Sequence, residues 1–196
     1  MCLDMKRIFG FLAMAAAAAA LFSCSPKGAC IINGNITHPQ YENIYMLDIA
    51  GAVVDSVSRS SDGDFRFVYD KAESMPQIVM IQFRNKDVSY DRMYLPVAIE
   101  PGQVKVRIDE YINLSGTPLN NEIQDFFDEL QELSDSYTQN VATVTSMEVA
   151  YSNFYRTKIQ ENSDNVFGAY LTLAYGRELL PSDLEILKNE ASESAE

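Results

Sequence analysis

Cys24 is the residue whose type and surroundings most clearly suit a covalent reaction. It ends the tetrapeptide Leu21-Phe22-Ser23-Cys24, in which a branched apolar residue and a small residue precede the cysteine. This order matches the lipobox, where the cysteine thiolate forms a thioether with a lipid before the preceding peptide is removed. The new amine can then be acylated. We therefore expect lipidated Cys24 to be the mature N-terminus, although Phe22 is bulkier than the usual residue at its position.

The segment before Cys24 has the pattern of an export signal. Lys6 and Arg7 form a short basic region, and Ile8 to Leu21 is an uninterrupted apolar or small stretch. A run of ~14 residues suits a signal sequence and falls short of the ~20 needed to span a bilayer. We predict a lipoprotein signal peptide over 1–23 and a tether over 24–28.

Two other interpretations of this segment stay open. One is an ordinary signal peptide with Cys24 as a plain thiol. The other is a single-pass anchor, which is disfavoured because the polar residues 23–27 end the apolar run too early. The sequence Ser25-Pro26-Lys27-Gly28 lacks the acidic run associated with surface export. We therefore expect a membrane-anchored lipoprotein, on the outer membrane and facing the periplasm.

The remaining cysteines do not form a redox or zinc motif. Cys2 lies in the predicted signal, and only Cys30 remains in the mature chain beside Cys24. No Cys-x-x-Cys occurs, which excludes dithiol redox chemistry and zinc ribbons of the usual spacing. Cys30 is expected to be a small apolar residue of the first strand; pairing with another chain is the alternative.

Three other polar groups could do chemistry, but each has a simpler interpretation. Asp62 and Asp64 could ligate calcium, but two carboxylates are too few, and a hairpin turn explains them. His38 is the only histidine and has no evident nucleophile as its partner. A stripe of four acidic residues at helical spacing is similar to those of dimetal carboxylate sites. Such sites also use a Glu-x-x-His, which this sequence lacks, so the stripe indicates a solvated helix face. Its members are Glu122, Asp125, Glu129 and Glu132. We predict no catalytic residue, metal or cofactor.

Charge and aromatic content bear on the partners. The net charge of −13 over 196 residues repels nucleic-acid phosphates, so nucleic-acid binding is not expected. Tyrosines recur in the first half of the chain and could line a carbohydrate-binding face, although half-buried strands also favour tyrosine. These are Tyr41, Tyr45, Tyr69, Tyr90 and Tyr94.

The first half of the mature chain has the pattern of β structure. Eight short runs rich in Ile, Val, Tyr and Phe are separated by turn signals such as Asp62-Gly63 and Pro101-Gly102. Phe65 and Phe67 alternate with polar residues, as expected of a strand with one buried face. The pattern predicts an antiparallel β-sandwich, or a partly open barrel, over 29–116.

The second half, 117–190, has helical periodicity and is followed by a polar tail over 191–196, which we expect to be disordered. Thr117 and Pro118 suit a helix start. An apolar stripe that includes Phe126 and Leu130 requires a surface to bury it, so we expect these helices to pack on the sandwich. Further helices follow a break at 162–165, and Ser182 with Glu185 fits a capping box for a last helix ending near Asn189. The fold class is therefore α+β.

The order of several short motifs resembles a known arrangement. They include Asn33-Gly34-Asn35-Ile36, Asp62-Gly63-Asp64-Phe65-Arg66-Phe67, Ile99-Glu100-Pro101-Gly102 and Leu114-Ser115-Gly116-Thr117-Pro118. Together they resemble the uncharacterised all-β domain that precedes a thioredoxin-like domain, of the TlpA/AhpC type, in Gram-negative lipoproteins. The segment Asn165-Val166-Phe167-Gly168-Ala169-Tyr170-Leu171 is similar to the helical connector of those proteins. No redox residue can be carried over, because the thioredoxin-like domain has no counterpart in this sequence.

Three functions are consistent with these patterns. The favoured one is a lipid-anchored, non-enzymatic interaction or scaffold module with a protein partner on the helical apolar face. The second is a split or truncated thiol–disulfide oxidoreductase without its catalytic domain. The third is a glycan- or ligand-binding lipoprotein, which would need exposed tyrosines beside a concave polar site.

Overall fold

A computed structural model describes residues 28–70, 72, 77–139 and 144–193. The first part of this chain forms eight strands in two four-stranded sheets. The strands are β1 (Cys30–Ile36), β2 (Tyr41–Leu47), β3 (Val53–Ser58), β4 (Asp64–Tyr69), β5 (Gln77–Asn85), β6 (Arg92–Ile99), β7 (Gly102–Ile108) and β8 (Ile112–Ser115). The predicted β-sandwich with about eight strands, and with it the α+β class, is confirmed.

The two sheets pack face to face because each contributes alternate apolar side chains to one core. Sheet I has the strand order β4-β1-β7-β8 and sheet II the order β3-β2-β5-β6. Strands β1 and β7 pair in parallel, and every other pairing is antiparallel. Side chains such as Phe67, Ile81 and Val104 are buried between the sheets, whereas Arg66 on the opposite face of β4 is exposed. This is the period of two expected of half-buried strands.

Gly34 gives the core room for an aromatic ring. The ring of Phe65 lies directly on the backbone of Gly34, which it faces across the β1–β4 pairing. A Cβ atom at position 34 would stand 1.9 Å from Cζ of Phe65. Glycine is required here for close packing, because no larger side chain could share this space with the ring.

Four helices follow the sandwich. They are α1 (Pro118–Gln139), α2 (Val144–Glu161), α3 (Val166–Tyr175) and α4 (Pro181–Glu193). Helix α1 begins at Pro118, as predicted, and Asn165 caps α3 by accepting from the backbone N–H of Phe167 at 2.8 Å. The capping box at Ser182 is wrong, since α4 already begins at Pro181, a favoured first helical residue. Helix α4 also runs past Asn189 into the stretch for which a polar tail was predicted.

The first turns of α1 close the open side of the sandwich. Asn120 is fully buried and bonds both backbone groups of Ala98 on β6: its Oδ1 accepts from the N–H at 2.9 Å and its Nδ2 donates to the C=O at 2.8 Å. Gln124 accepts from the N–H of Leu114 on β8 at 2.6 Å. Two side-chain amides thus replace the neighbouring strand that each edge lacks.

The helices bury their apolar stripe against the sandwich and one another. Phe126, Phe167 and Leu171 belong to the same continuous core as the strand residues. Phe126 stacks on Phe154 at 5.5 Å between ring centroids and meets Phe167 edge-on at 5.8 Å. Arg156 of α2 pairs with Asp183 of α4 at 3.0 Å. The expectation that the helical half packs on the sandwich is confirmed.

Candidate functional site

A groove of about 740 Å³ lies where α1 and α2 diverge from the edge of the sandwich. Its floor and walls come from β6, the β7–β8 turn and the facing sides of the two helices. The lining residues that matter below are Tyr94, Glu110, Tyr111, Phe127, Asp128, Leu130, Tyr151 and Tyr155.

Aromatic side chains form much of the groove wall. Tyr155 stacks on Tyr175 with 4.5 Å between ring centroids and lies 6.1 Å from the ring of Tyr151. Burial, with smaller contributions from Tyr175, Tyr151 and Glu178, raises the pKa of Tyr155 to about 12. Its hydroxyl therefore stays neutral and protonated near pH 7. Tyr111, which is 73% exposed, projects from the turn at the mouth.

The charged groups that line the groove are all acidic. Glu110 in the β7–β8 turn and Asp128 on α1 are its two charged lining residues, and both are exposed. Asp128 accepts a hydrogen bond from Gln124 Nε2 at 2.8 Å, which holds the carboxylate in place over the groove. A carboxylate beside aromatic faces is a favourable site for an organic cation.

The groove also contains an unpaired stretch of strand edge. Because Ala98 directs both backbone groups away from β5 and toward Asn120, the alternation of an antiparallel strand makes Pro96 and Tyr94 point outward as well. Pro96 has no N–H to offer. Within the part of the chain that the structure describes, the backbone groups of Tyr94 have no partner across this edge. A short segment of β6 is thus open to an added strand.

This edge belongs to the segment that the comparisons with known proteins find. Residues 30–123 match the family model of a domain of unknown function (DUF4369). No curated protein matches the chain. The match covers just under half of the 196 residues, and it includes all eight strands and the start of α1 with Asn120. The expected link to thioredoxin-like proteins is not tested by this match and stays a prediction.

The predictions for Cys24 and Cys30 differ in what the structure shows of them. Cys24 lies outside the described residues, so its lipidation stays a prediction. Cys30 starts β1 inside the segment that matches DUF4369 and is fully buried in the core. Burial is the main cause that raises the pKa of the Cys30 thiol, which opposes formation of a reactive thiolate.

The other polar candidates have structural partners. His38 Nε2 lies 2.8 Å from the backbone oxygen of Asp109. Asp64 accepts from Asn35 Nδ2 at 2.7 Å beside the turn between β3 and β4, where Gly63 has φ of +91°. The hairpin predicted at Asp62-Gly63 is wrong, because β3 belongs to sheet II and β4 to sheet I, and the turn connects the two sheets. Of the acidic stripe, Glu129 pairs with Lys158 at 2.8 Å. No group of three or more potential metal ligands occurs among the described residues.

The tyrosines considered for carbohydrate binding do not share one face. Tyr69 lies on sheet I, Tyr41 donates to Asp91 at 3.0 Å, and Tyr90 projects from the β5–β6 turn. Tyr45 and Tyr94 do share the outer face of sheet II, on either side of Gln82. The guanidinium of Arg84 already covers the Tyr45 ring at 4.0 Å.

Sequence reasoning missed the residues that close and line the groove. Tyr111 follows a strand end and gave no signal beyond turn composition. No role was predicted for Asn120 or Gln124, whereas both complete strand edges. Their positions, three and seven residues after Thr117, place them on one face of the first two turns, which was the available signal.

None of the helices in the described ranges is long and apolar enough to span a bilayer.

Proposed function

We propose that this protein is a non-enzymatic binding module of the cell envelope, held at the membrane through lipid on Cys24, which takes an extended basic segment of a partner protein into the groove. The observation that carries the proposal is the unpaired edge of β6 at Tyr94 inside an acidic, aromatic groove.

The backbone of the groove favours an extended polypeptide. A free strand edge offers N–H and C=O groups in the spacing that another strand matches, which is how sheets add peptide segments. The open stretch is short, since Pro96 removes one donor and Asn120 occupies the groups of Ala98. One or two residues of a partner would pair here, and affinity would depend on the side chains around them.

The side chains of the groove favour basic residues in that segment. Glu110 and Asp128 supply carboxylates, and the rings of Tyr94, Tyr111 and Tyr151 supply faces for cation–π contact. Lysine and arginine combine a charged head with an apolar stem, so they suit both features. The net charge of −13 adds long-range attraction for a basic partner.

The test is fluorescence anisotropy of short labelled peptides against the full-length protein in detergent micelles. A peptide alternating lysine with valine should bind, and peptides of equal length with glutamine or glutamate in place of lysine should bind at least tenfold more weakly. Asp128→Lys should weaken binding by a similar factor, because it inverts the charge at the groove. Asp125→Lys is the matched control, since this exposed carboxylate on the same helix does not line the groove.

Two results would overturn the proposal. One is equal binding of the lysine and glutamine peptides. The other is an equal loss of affinity in Asp128→Lys and Asp125→Lys, which would mean that only the overall charge matters.

A further inference from the structure

We infer that the outer face of sheet II carries a second binding site, adjacent to the groove at Tyr94, for an oxyanion held between Arg84 and Arg92. The two arginines are directly opposed on neighbouring strands, β5 and β6. Both side chains point to the outer face, because their chain neighbours, Phe83 and Met93, point toward the core. Like charges that face each other across a sheet destabilise it, so this arrangement calls for a counterion.

Among the residues that the structure describes, no carboxylate forms an ion pair with either arginine. The ion pairs among the described residues involve Lys86, Arg107, Arg156 and Lys158, and neither arginine of this pair takes part in one. The protein has 28 acidic and 15 basic residues, so an opposed arginine pair without a carboxylate is an exception to its overall charge balance.

Both guanidinium groups are held in place by contacts that leave their terminal nitrogens free. Arg84 donates through Nε to Gln82, and its guanidinium lies 4.0 Å from the centroid of the Tyr45 ring. Arg92 donates through Nε to the backbone oxygen of Ser89 at 3.0 Å. Fixing Nε in this way leaves the terminal N–H groups to form the fork that binds carboxylate and phosphate oxygens.

A third donor continues the same row across the sheet. Asn43 of β2 faces Arg84 on its other side. Its Oδ1 accepts from the Ser58 hydroxyl at 3.1 Å, which leaves Nδ2 directed elsewhere as a donor. The row Asn43, Arg84, Arg92 thus presents donors only. In the next row along the strands Tyr94 is 47% exposed, so a ring or chain attached to the oxyanion would have an aromatic surface beside it.

The ligand class is therefore an organic carboxylate or phosphate, and the experiment separates these sources. The full-length protein in detergent micelles, labelled with ¹⁵N-arginine, would be titrated at constant ionic strength with glucuronate, glucose 6-phosphate, inorganic phosphate and uncharged glucose. We expect saturable shifts of the Arg84 and Arg92 Nε–Hε signals with at least one oxyanion and no shift with glucose. The oxyanion that binds most tightly identifies the source.

Variants decide whether the pair forms the site. Arg92→Gln should weaken binding about tenfold or more, as expected for loss of charge-assisted hydrogen bonds. Arg92→Lys should also weaken it, because lysine keeps the charge and loses the fork. Arg66→Gln, on the exposed face of sheet I, is the matched control and should leave affinity unchanged. Arg92 is the position varied because Arg84 packs on the Tyr45 ring, and Arg84→Gln would change that contact as well.

The inference fails if no oxyanion gives a saturable shift, or if Arg66→Gln weakens binding as much as Arg92→Gln. Neither outcome would affect the groove, since the peptide experiment uses different residues.

Discussion

Replacement of Asn120 by alanine tests whether α1 is part of the sandwich. The side chain is fully buried and makes three hydrogen bonds, two to the backbone of Ala98 and one, at 2.7 Å, to the Thr117 hydroxyl. Alanine would leave the N–H and C=O of Ala98, which is also fully buried, without partners.

The cost can be estimated from those two backbone groups. A buried polar group left without a partner costs roughly 1–3 kcal/mol, so the pair should lower the free energy of unfolding by about 4 kcal/mol. A domain of this size has a total stability of about 5–15 kcal/mol. Asn120→Ala should therefore have a much lower free energy of unfolding than the wild type.

Urea unfolding followed by circular dichroism measures this directly, with the midpoint and slope fitted separately. The control is the neighbouring Asn121→Ala. Asn121 accepts one hydrogen bond, from the N–H of Gly116 at 3.0 Å, and is exposed, so its loss should cost about 1 kcal/mol or less. If the two variants lose equal stability, or if Asn120→Ala loses less than about 1 kcal/mol, then Asn120 does not stabilise the edge of β6.

Further predictions concern the anchor, the core, the thiol and the tyrosines. Cys24→Ala should abolish labelling with palmitate and release the protein from membranes; retained label would refute the anchor. Gly34→Ala should lower the free energy of unfolding by about 1–3 kcal/mol, because its Cβ would overlap the buried Phe65 ring, and wild-type stability would show that the ring can move aside. The protein should not accelerate the reduction of insulin by dithiothreitol above a Cys30→Ala control, and a Cys30-dependent rate would restore the oxidoreductase interpretation. The pKa of Tyr155 is raised from 10.0 to about 12 in the folded state, so its contribution to stability is full below pH 10.0 and is lost as the pH rises toward 12. Tyr155→Phe should flatten the fall in stability over that range, as followed by denaturation at each pH.

The strands could be predicted from the sequence because their signal is local. Alternation such as Phe65-Arg66-Phe67 reports a buried face without knowledge of the partner strand. Turn residues such as Gly63 and Gly102, both with positive φ, separate one strand from the next. The signals that predicted helix starts at Pro118 and Asn165 were also local.

The pairing of the strands could not be predicted, because it depends on distant residues. The parallel pairing of β1 with β7 joins Cys30 to Gly102, and no local pattern distinguishes it from an antiparallel neighbour. The opposed arginines are likewise invisible until the register of β5 and β6 is known. The candidate sites therefore came from topology, although every residue in them was visible in the sequence.

The same helix explains why the sandwich is stable and why it leaves a groove. Asn120 and Gln124 occupy the edges of β6 and β8 over the first two turns of α1, and there the open side is closed. Beyond those turns α1 lines the groove through Phe127, Asp128 and Leu130, and the edge at Tyr94 lies in the same groove. The match to DUF4369 ends at 123, just after the turn that holds Asn120. Stability and binding should therefore separate along one helix: Asn120→Ala should lower stability, whereas Asp128→Lys should change peptide affinity and leave the unfolding midpoint almost unchanged.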